Sequence, residues 1–341
     1  MRFYIEKVNL TGNMKKIFAL ILLLHSGNLF SQLYIKNEPL AHTFSVVAKD
    51  SLTGDLAVAV QSHWFSVGTT VSWGESGVGV VATQSLVNKS FGLRGLALLK
   101  EGKSPKEALE TLLSEDEGKD YRQVSIMDVH GNVATHTGAK CIQKAGHQIG
   151  KNYSVQANMM LNDKVWGAMS EAFEKNSNLP FAERIIEVLK AGQSVGGDIR
   201  GKQSAALLIV KNKPMENPWD DPLIDLRVDD HLQPIDELER LLKVFRAYEH
   251  MNNGDLAIEV NDMKKALEEY GAAEKMFPEN LEMKYWKAIA LANNGRMDDA
   301  LPLFRYIFQR DSNWRTLTER LPEVEILLIS EKDLKKIINL K

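Results

Sequence analysis

The run Thr43-Phe44-Ser45-Val46-Val47-Ala48, the turn Ser51-Leu52-Thr53-Gly54-Asp55 and the run Leu56-Ala57-Val58-Ala59-Val60-Gln61 together read as a β-hairpin. Both runs are short, apolar and partly β-branched, and the turn carries the glycine and aspartate that strand connections favour. Gly77-Val78-Gly79-Val80-Val81-Ala82-Thr83-Gln84 reads as a third strand whose small residues point to close packing against another layer.

Working outward, Gly92-Leu93-Arg94-Gly95-Leu96-Ala97-Leu98-Leu99 opens a helix, and Ser104-Pro105-Lys106-Glu107 opens a second. Ser104 suits the N-cap, Pro105 the first helical position and Glu107 the reciprocal capping position. Ala108, Leu109, Leu112 and Leu113 then follow at helical spacing. Strands return at 123–128 and 133–136 around Val129-His130-Gly131-Asn132. Helices are expected over 162–175 and 180–191, the second stopped by Gly192, and Ser204–Val210 reads as a final buried strand. This order is not strict βαβ alternation, and it points to α+β layers with stacked sheets between helices.

The bounds agree with a folded, two-domain chain. It has 341 residues, 44% hydrophobic and 26% charged, with a formal net charge of -3. No broad basic field exists, which argues against nucleic acid as a partner. Cys141 is the single cysteine, so no internal disulfide can form. From Met14 the chain reads Lys15-Lys16, then Ile17 to Leu24, then small residues to Ser31-Gln32. A basic start, a short apolar core and a small-residue boundary describe a cleavable secretory signal over 1–31, with Met14 a candidate true start. The apolar run is too short to span a bilayer, and no later segment reads as a membrane span. The expectation is an exported protein, periplasmic or secreted, with 32–41 a linker or propeptide, 42–232 the α+β domain and 233–341 helical.

Six segments carry a resemblance. They are Thr43–Ala48, Gly92–Ala97, Arg122-Gln123-Val124, Ala145-Gly146-His147, Gly196–Ala206 and Asp225–His231. In this order they resemble the family of domains of unknown function numbered 1028, over roughly residues 42–245. That family is placed by similarity among the N-terminal-nucleophile hydrolases, which implies a four-layer α-β-β-α sandwich and an amide-cleaving activity.

Such chemistry needs a Thr, Ser or Cys as the first residue, its hydroxyl or thiol attacking a carbonyl and its own α-amine acting as base. An α-amine has an ordinary pKa of about 7.7–8.0 and can take a proton at neutral pH. The resemblance makes Thr43 the candidate nucleophile and Asn158 the candidate oxyanion donor, worth roughly 3 kcal/mol of barrier in such a role. A signal cut near Gln32 leaves Leu33 to His42 ahead of Thr43, so a second cut, by self-cleavage, would be needed. Thr43 could equally be an ordinary strand residue, and Asn158 a polar cap.

The loop Gly196-Gly197-Asp198-Ile199-Arg200-Gly201 is too glycine-rich and charged for a core, and would bring Asp198 and Arg200 toward a site. Arg200 suits a substrate carboxylate, with an internal Asp198–Arg200 pair as the alternative. Arg94, His147, Gln203 and Ser204 complete the candidate substrate contacts, Ser204 doubling as a weaker nucleophile. His136, Cys141 and His147 do not match zinc spacing. Asp225, Asp229, Asp230 and His231 fit an edge strand as well as a cation site. No metal or other cofactor is expected, and an oxygen nucleophile requires none.

Behind the α+β domain, Ala266, Tyr270, Ala273 and Pro278 recur 34 positions later as Ala300, Phe304, Ile307 and Ser312. That is the tetratricopeptide period, with Lys284 where an aromatic is usual and Ser312 in place of proline. Two units fall short of the three usually needed, so the tail is expected to dock on the sandwich or on a 234–249 helix. Two functions stay open. One is an amidohydrolase for a peptide-like or acyl-amide substrate. The other is a non-catalytic binding module contacting a protein, a peptide, peptidoglycan or a second copy of the chain.

Overall fold

The structure, a computed structural model, describes residues 40–341. The signal segment read over 1–31 and nearly all of the 32–41 linker lie outside the described residues. The chain forms two compact units that divide between Leu238 and Glu239.

The first unit is built on two antiparallel sheets. Strands β1 (Leu40–Ala41), β5 (Gly79–Leu86), β6 (Arg122–Asp128) and β7 (Val133–Thr137) lie in that order in one sheet, with β4 (Ser72–Glu75) also on β5. The other has the order β11 (Ile224–Val228), β10 (Ser204–Val210), β3 (Leu56–Ser62), β2 (Thr43–Lys49), β9 (Tyr153–Ala157), β8 (Gly146–Gly150). The hairpin of the opening stretch is β2–β3, paired from Thr43↔Ser62 to Lys49↔Leu56. Val47, Val58 and Val60 from this sheet meet Val80, Ala82 and Met127 from the other in one buried core. Alternate residues of β5 face the opposite way: Val81 joins Val124 and Ile126 beneath Phe91, Leu96, Ala108 and Leu112. Those four belong to helices α2 (Ser90–Lys100) and α3 (Pro105–Ser114), which follow the short α1 (Gly68–Val71). Helices α4 (Val165–Lys175) and α5 (Phe181–Ser194) contact the other sheet. Because β2, β3 and β5 are buried on both faces, they read as unbroken apolar runs rather than alternating ones.

Local chemistry sets the helix starts. Ser104 Oγ accepts from the Glu107 amide and the Glu107 carboxylate accepts from the Ser104 amide, the reciprocal cap expected for α3. Gly192 corrects one expectation: it does not stop its helix, which runs on to Ser194. A Cβ there would lie 2.9 Å from Met169 and 3.2 Å from Phe44, so the glycine lets α5 approach α4 and β2. The third strand begins at Gly79 rather than Gly77, and β1, β4 and β8 are strands that the sequence reading did not place.

The second unit is all helical. It comprises most of α6 (Pro234–Glu259) and α7 (Met263–Met276), α8 (Leu281–Asn293), α9 (Met297–Arg310), α10 (Asn313–Arg320) and α11 (Glu331–Ile338). The 34-residue correspondence marks its core. Ala266, Tyr270 and Ala273 pack with Ala247 and Met251 of α6, while Ala300, Phe304 and Ile307 pack with Tyr285 and Ala288. Helix α6 closes one end of the two repeats, and Leu321 and Ile337 cover the other. Lys284, at the usual aromatic position, donates 2.8 Å to Glu274, and its ammonium lies 5.1 Å from the Tyr306 ring centre. Burial opposes charge on Glu274, but bonds from Lys284 and Lys287 outweigh it and hold its carboxyl below the usual range.

Two sets of variants test this packing. A Cβ on Gly92 would lie 2.3 Å from the Trp73 ring, whereas one on Gly167, within α4, meets nothing within 4 Å. Gly92→Ala is therefore expected to lower stability by about 1–3 kcal/mol, and Gly167→Ala to raise it by about 0.5–1 kcal/mol, measured by urea unfolding. Glu274 has a depressed folded pKa, so its contribution is present above the unfolded carboxyl pKa and is lost as pH falls through the folded one. Glu274→Gln should cost about 1–3 kcal/mol at pH 7, and unfolding of variant and parent across pH should converge as Glu274 protonates.

Candidate functional site

At His42 the chain crosses from one sheet to the other. Leu40 and Ala41 pair with Leu86 and Ser85 on the edge of β5, and Thr43 opens β2 opposite Ser62. Ala41, His42 and Thr43 are all buried. The peptide bond between His42 and Thr43 is thus held at a fixed place in the space between the sheets.

Polar groups converge on that bond. The His42 carbonyl accepts from Ser62 Oγ at 2.6 Å and from Arg200 Nη2 at 2.8 Å. Thr43 Oγ1 donates to the Ala41 carbonyl at 2.8 Å. The Thr43 carbonyl accepts from the Asn158 amide N–H at 3.0 Å and from Gln84 Nε2 at 3.2 Å, with Asn158 Nδ2 at 3.4 Å. Arg200 is aimed by Asp198, which binds it through both carboxylate oxygens at 3.0 and 2.7 Å and also accepts from the His63 amide at 3.2 Å.

Gln123 organises the far side. Its Nε2 lies within hydrogen-bond distance of Thr137 Oγ1, the Gly146 carbonyl and the Ala157 carbonyl. All three can accept, so Oε1 is left to receive Gln84 Nε2 at 2.7 Å and Asn158 Nδ2 at 2.9 Å. Asn158 Oδ1 is then an acceptor, and the 2.7 Å contact with His42 Nδ1 makes that nitrogen the protonated one. Burial, the largest influence, holds the His42 pKa below its ordinary value, the Asn158 bond opposing it and the Arg200 charge adding to it. The imidazole is therefore neutral at pH 7.

The sequence candidates separate on this geometry. Thr43, Asn158, Asp198 and Arg200 come together. The Asp198–Arg200 pair weighed as the alternative is formed, and Arg200 reaches the His42 carbonyl as well. His147 Nδ1 contacts Thr137 Oγ1 at 2.8 Å and reaches the centre only through Thr137 and Gln123; burial first, then the His136 charge, lowers its pKa. Ser204 Oγ accepts from the Val67 amide and donates to the Trp64 carbonyl, so its hydroxyl is committed to the backbone. Gln203 Nε2 donates to Asp230 at 3.2 Å, while its backbone N–H meets the Ser62 carbonyl. Arg94 pairs with Glu115 on the helical layer over β5, and both side chains are exposed. Asp225 is bound by Arg227, and Asp229 by Ser66. Among the described residues no group of three or more His, Cys, Asp or Glu side chains is placed to hold a metal ion.

His42, Ser62, Gln84 and Gln123 were not singled out from the sequence. The available signal was weak: otherwise apolar strands turn polar near their ends, at Gln61-Ser62 and Gln84-Ser85, and Gln123 lies in the Arg122-Gln123-Val124 segment of the family resemblance.

The comparisons with known proteins agree with this layout. Residues 43–238 match a family of unknown function, DUF1028, and residues 251–313 match a tetratricopeptide repeat. A crystal structure of the DUF1028-family protein SPO2555 from Silicibacter pomeroyi is 32% identical, covering 60% of this chain and 88% of its own, with a TM-score of 0.54. No curated protein matches the chain. With more than half its length matched, and with Thr43 the first matched residue, the chain belongs to the DUF1028 family of unknown function and carries a tetratricopeptide-repeat region behind that domain.

Proposed function

We propose that this protein is an exported N-terminal-nucleophile-type amidohydrolase that frees Thr43 by cutting its own His42–Thr43 bond. The two stacked sheets with helices on their outer faces then form the α-β-β-α sandwich of that superfamily. One observation carries the reading: the carbonyl of that bond is held by Ser62 Oγ at 2.6 Å and Arg200 Nη2 at 2.8 Å. An ordinary strand-entry carbonyl needs one neutral partner, whereas a hydroxyl and a guanidinium together suit an oxygen that gains negative charge.

In self-cleavage, Thr43 Oγ1 attacks the His42 carbonyl carbon through the small ring of Cβ, Cα and N. Ser62 and Arg200 hold the oxyanion. The C–N bond breaks as the hydroxyl proton passes to the Thr43 nitrogen, leaving an ester that water hydrolyses to a His42 carboxylate and a free Thr43. The freed α-amine then acts as base toward an external amide. It takes the Thr43 hydroxyl proton as the ester forms and delivers it to the departing amine; water clears the acyl group. Asn158, bonded to His42, the Thr43 carbonyl region and Gln123, positions the nucleophile's own peptide rather than the reacting oxygen. The substrate is peptide-like or an acyl amide, and export places the reaction in the periplasm or outside the cell. The tetratricopeptide match supports a second activity of the chain, contact with a protein or cell-wall partner through the helical region.

Intact-mass and N-terminal analysis of purified full-length protein tests the proposal. The expected mature chain begins at Thr43. Thr43→Ala should leave the bond intact, Thr43→Ser should still cut, and Arg200→Gln or Ser62→Ala should slow the cut by about 10²–10³. A parent chain that keeps His42–Thr43 through prolonged storage would sink the catalytic reading and leave the binding module.

A further inference from the structure

The segment that blocks Thr43 also displays what the site accepts. The edge of β5 opposite β6 is filled by two separate strands: β4 pairs with Gly79 to Ala82, and β1 pairs with Ser85 and Leu86. Among the described residues strand β1 comprises Leu40 and Ala41, and β5 is its only strand partner. It occupies a slot into which an extended peptide fits by backbone pairing. Three consecutive side chains meet different surroundings there. His42 is enclosed and donates from Nδ1 to Asn158 Oδ1. Ala41 has no exposed surface and belongs to the core shared by both sheets, among Val60, Ala82 and Val87. Leu40 is 46% exposed, so its position makes little demand on side-chain type.

We infer that the acyl side of the substrate is a peptide strand seated where Leu40-Ala41-His42 lie, with an imidazole donor next to the cleaved amide and a small residue before it. This rests on the amidohydrolase reading above. Backbone pairing with β5 supplies orientation, and Ser62 and Arg200 take the carbonyl of the cleaved bond. Asn158 selects a neutral donor at the next side chain, because its Oδ1 is fixed as an acceptor by Gln123. An aspartate there would set a carboxylate against that oxygen. A large residue at the Ala41 position would have to displace the core between the sheets. After hydrolysis the same Ser62 and Arg200 donors face a carboxylate, so the product acid binds as well.

The test uses full-length protein after processing, with mass spectrometry recording the chain start and whether the released segment has left. The probes are acetyl-Leu-Ala-His, acetyl-Leu-Trp-His and acetyl-Leu-Ala-Asp, each as a coumarin amide for turnover and as the free acid for binding. Where the released segment stays bound, its displacement by each acid is the binding readout. The Leu-Ala-His probe is expected to exceed both others by about tenfold or more in kcat/KM or in binding. Selective binding of that acid without turnover upholds the recognition and removes the catalytic reading. A chain that starts at Thr43 yet treats the three probes alike, or takes none, overturns the inference and leaves self-cleavage standing. A chain that never cuts at Thr43 overturns both.

Discussion

The passage of the chain from one sheet to the other at His42 is the constraint on which the rest of the first unit depends. A strand that ends on the edge of β5 and another that begins β2 are joined by a single residue, so the connecting peptide cannot avoid the space between the sheets. A backbone carbonyl left there without water would be costly unless paired. The pairing is generous: a serine hydroxyl and an arginine both reach the His42 oxygen. Arg200 in turn is tolerable in this place because Asp198, with no exposed side-chain surface, neutralises it through two bonds.

That constraint divides the interior. Away from Thr43 the facing sheets meet through Val47, Val58, Val60, Val80 and Met127, an ordinary apolar core. Toward Thr43 the same faces carry Ser45, Ser62, Gln84, Gln123, Gln156 and Asn158, all without exposed surface. Stability alone would favour apolar residues at such positions. Gln84 and Asn158 interlock through Gln123, which fixes the amide orientation of Asn158 and, through it, the tautomer of His42, while Gln156 bonds Ser45 and the Ala82 carbonyl. Such a network defines one arrangement of donors and acceptors, the property a reacting or ligand-holding centre requires.

The second unit meets a different demand. Two tetratricopeptide-like repeats leave an apolar face at each end of the stack. Ala247 and Met251 of α6 cover one, and Leu321, Leu327 and Ile337 the other. The expectation of a docking helix near 234–249 was correct in kind, although that helix runs to Glu259. Where the repeat departs from its usual pattern, the largely buried Lys284 side chain sets its ammonium on Glu274 and near Tyr306, so a cation stands in for the aromatic.

The sequence by itself determined the fold class and the principal buried strands and capped helices, but not the short strands β1, β4 and β8. Apolar runs at 43–48, 56–61 and 204–210 are short, partly β-branched and bounded by turn residues, which favours buried strands over helices. The Ser104-Pro105-Glu107 triplet carried its own cap, the 34-residue recurrence named the repeat, and six ordered segments named the family. These signals are local or periodic, and local physics writes them directly into the chain. Only the tertiary structure decided which polar residues share a centre. Ser62, Gln84, Gln123 and Arg200 are far apart in the chain and meet around the His42–Thr43 peptide because sheet order and register place the first three there and the loop before β10 brings Arg200. Gly192 shows the same limit: in sequence it resembles a helix stop, but the closeness of Met169 and Phe44, set by packing, makes it a contact residue. Arg94 shows the converse, since a glycine-framed arginine looked like a site residue until helix α2 turned it outward to Glu115.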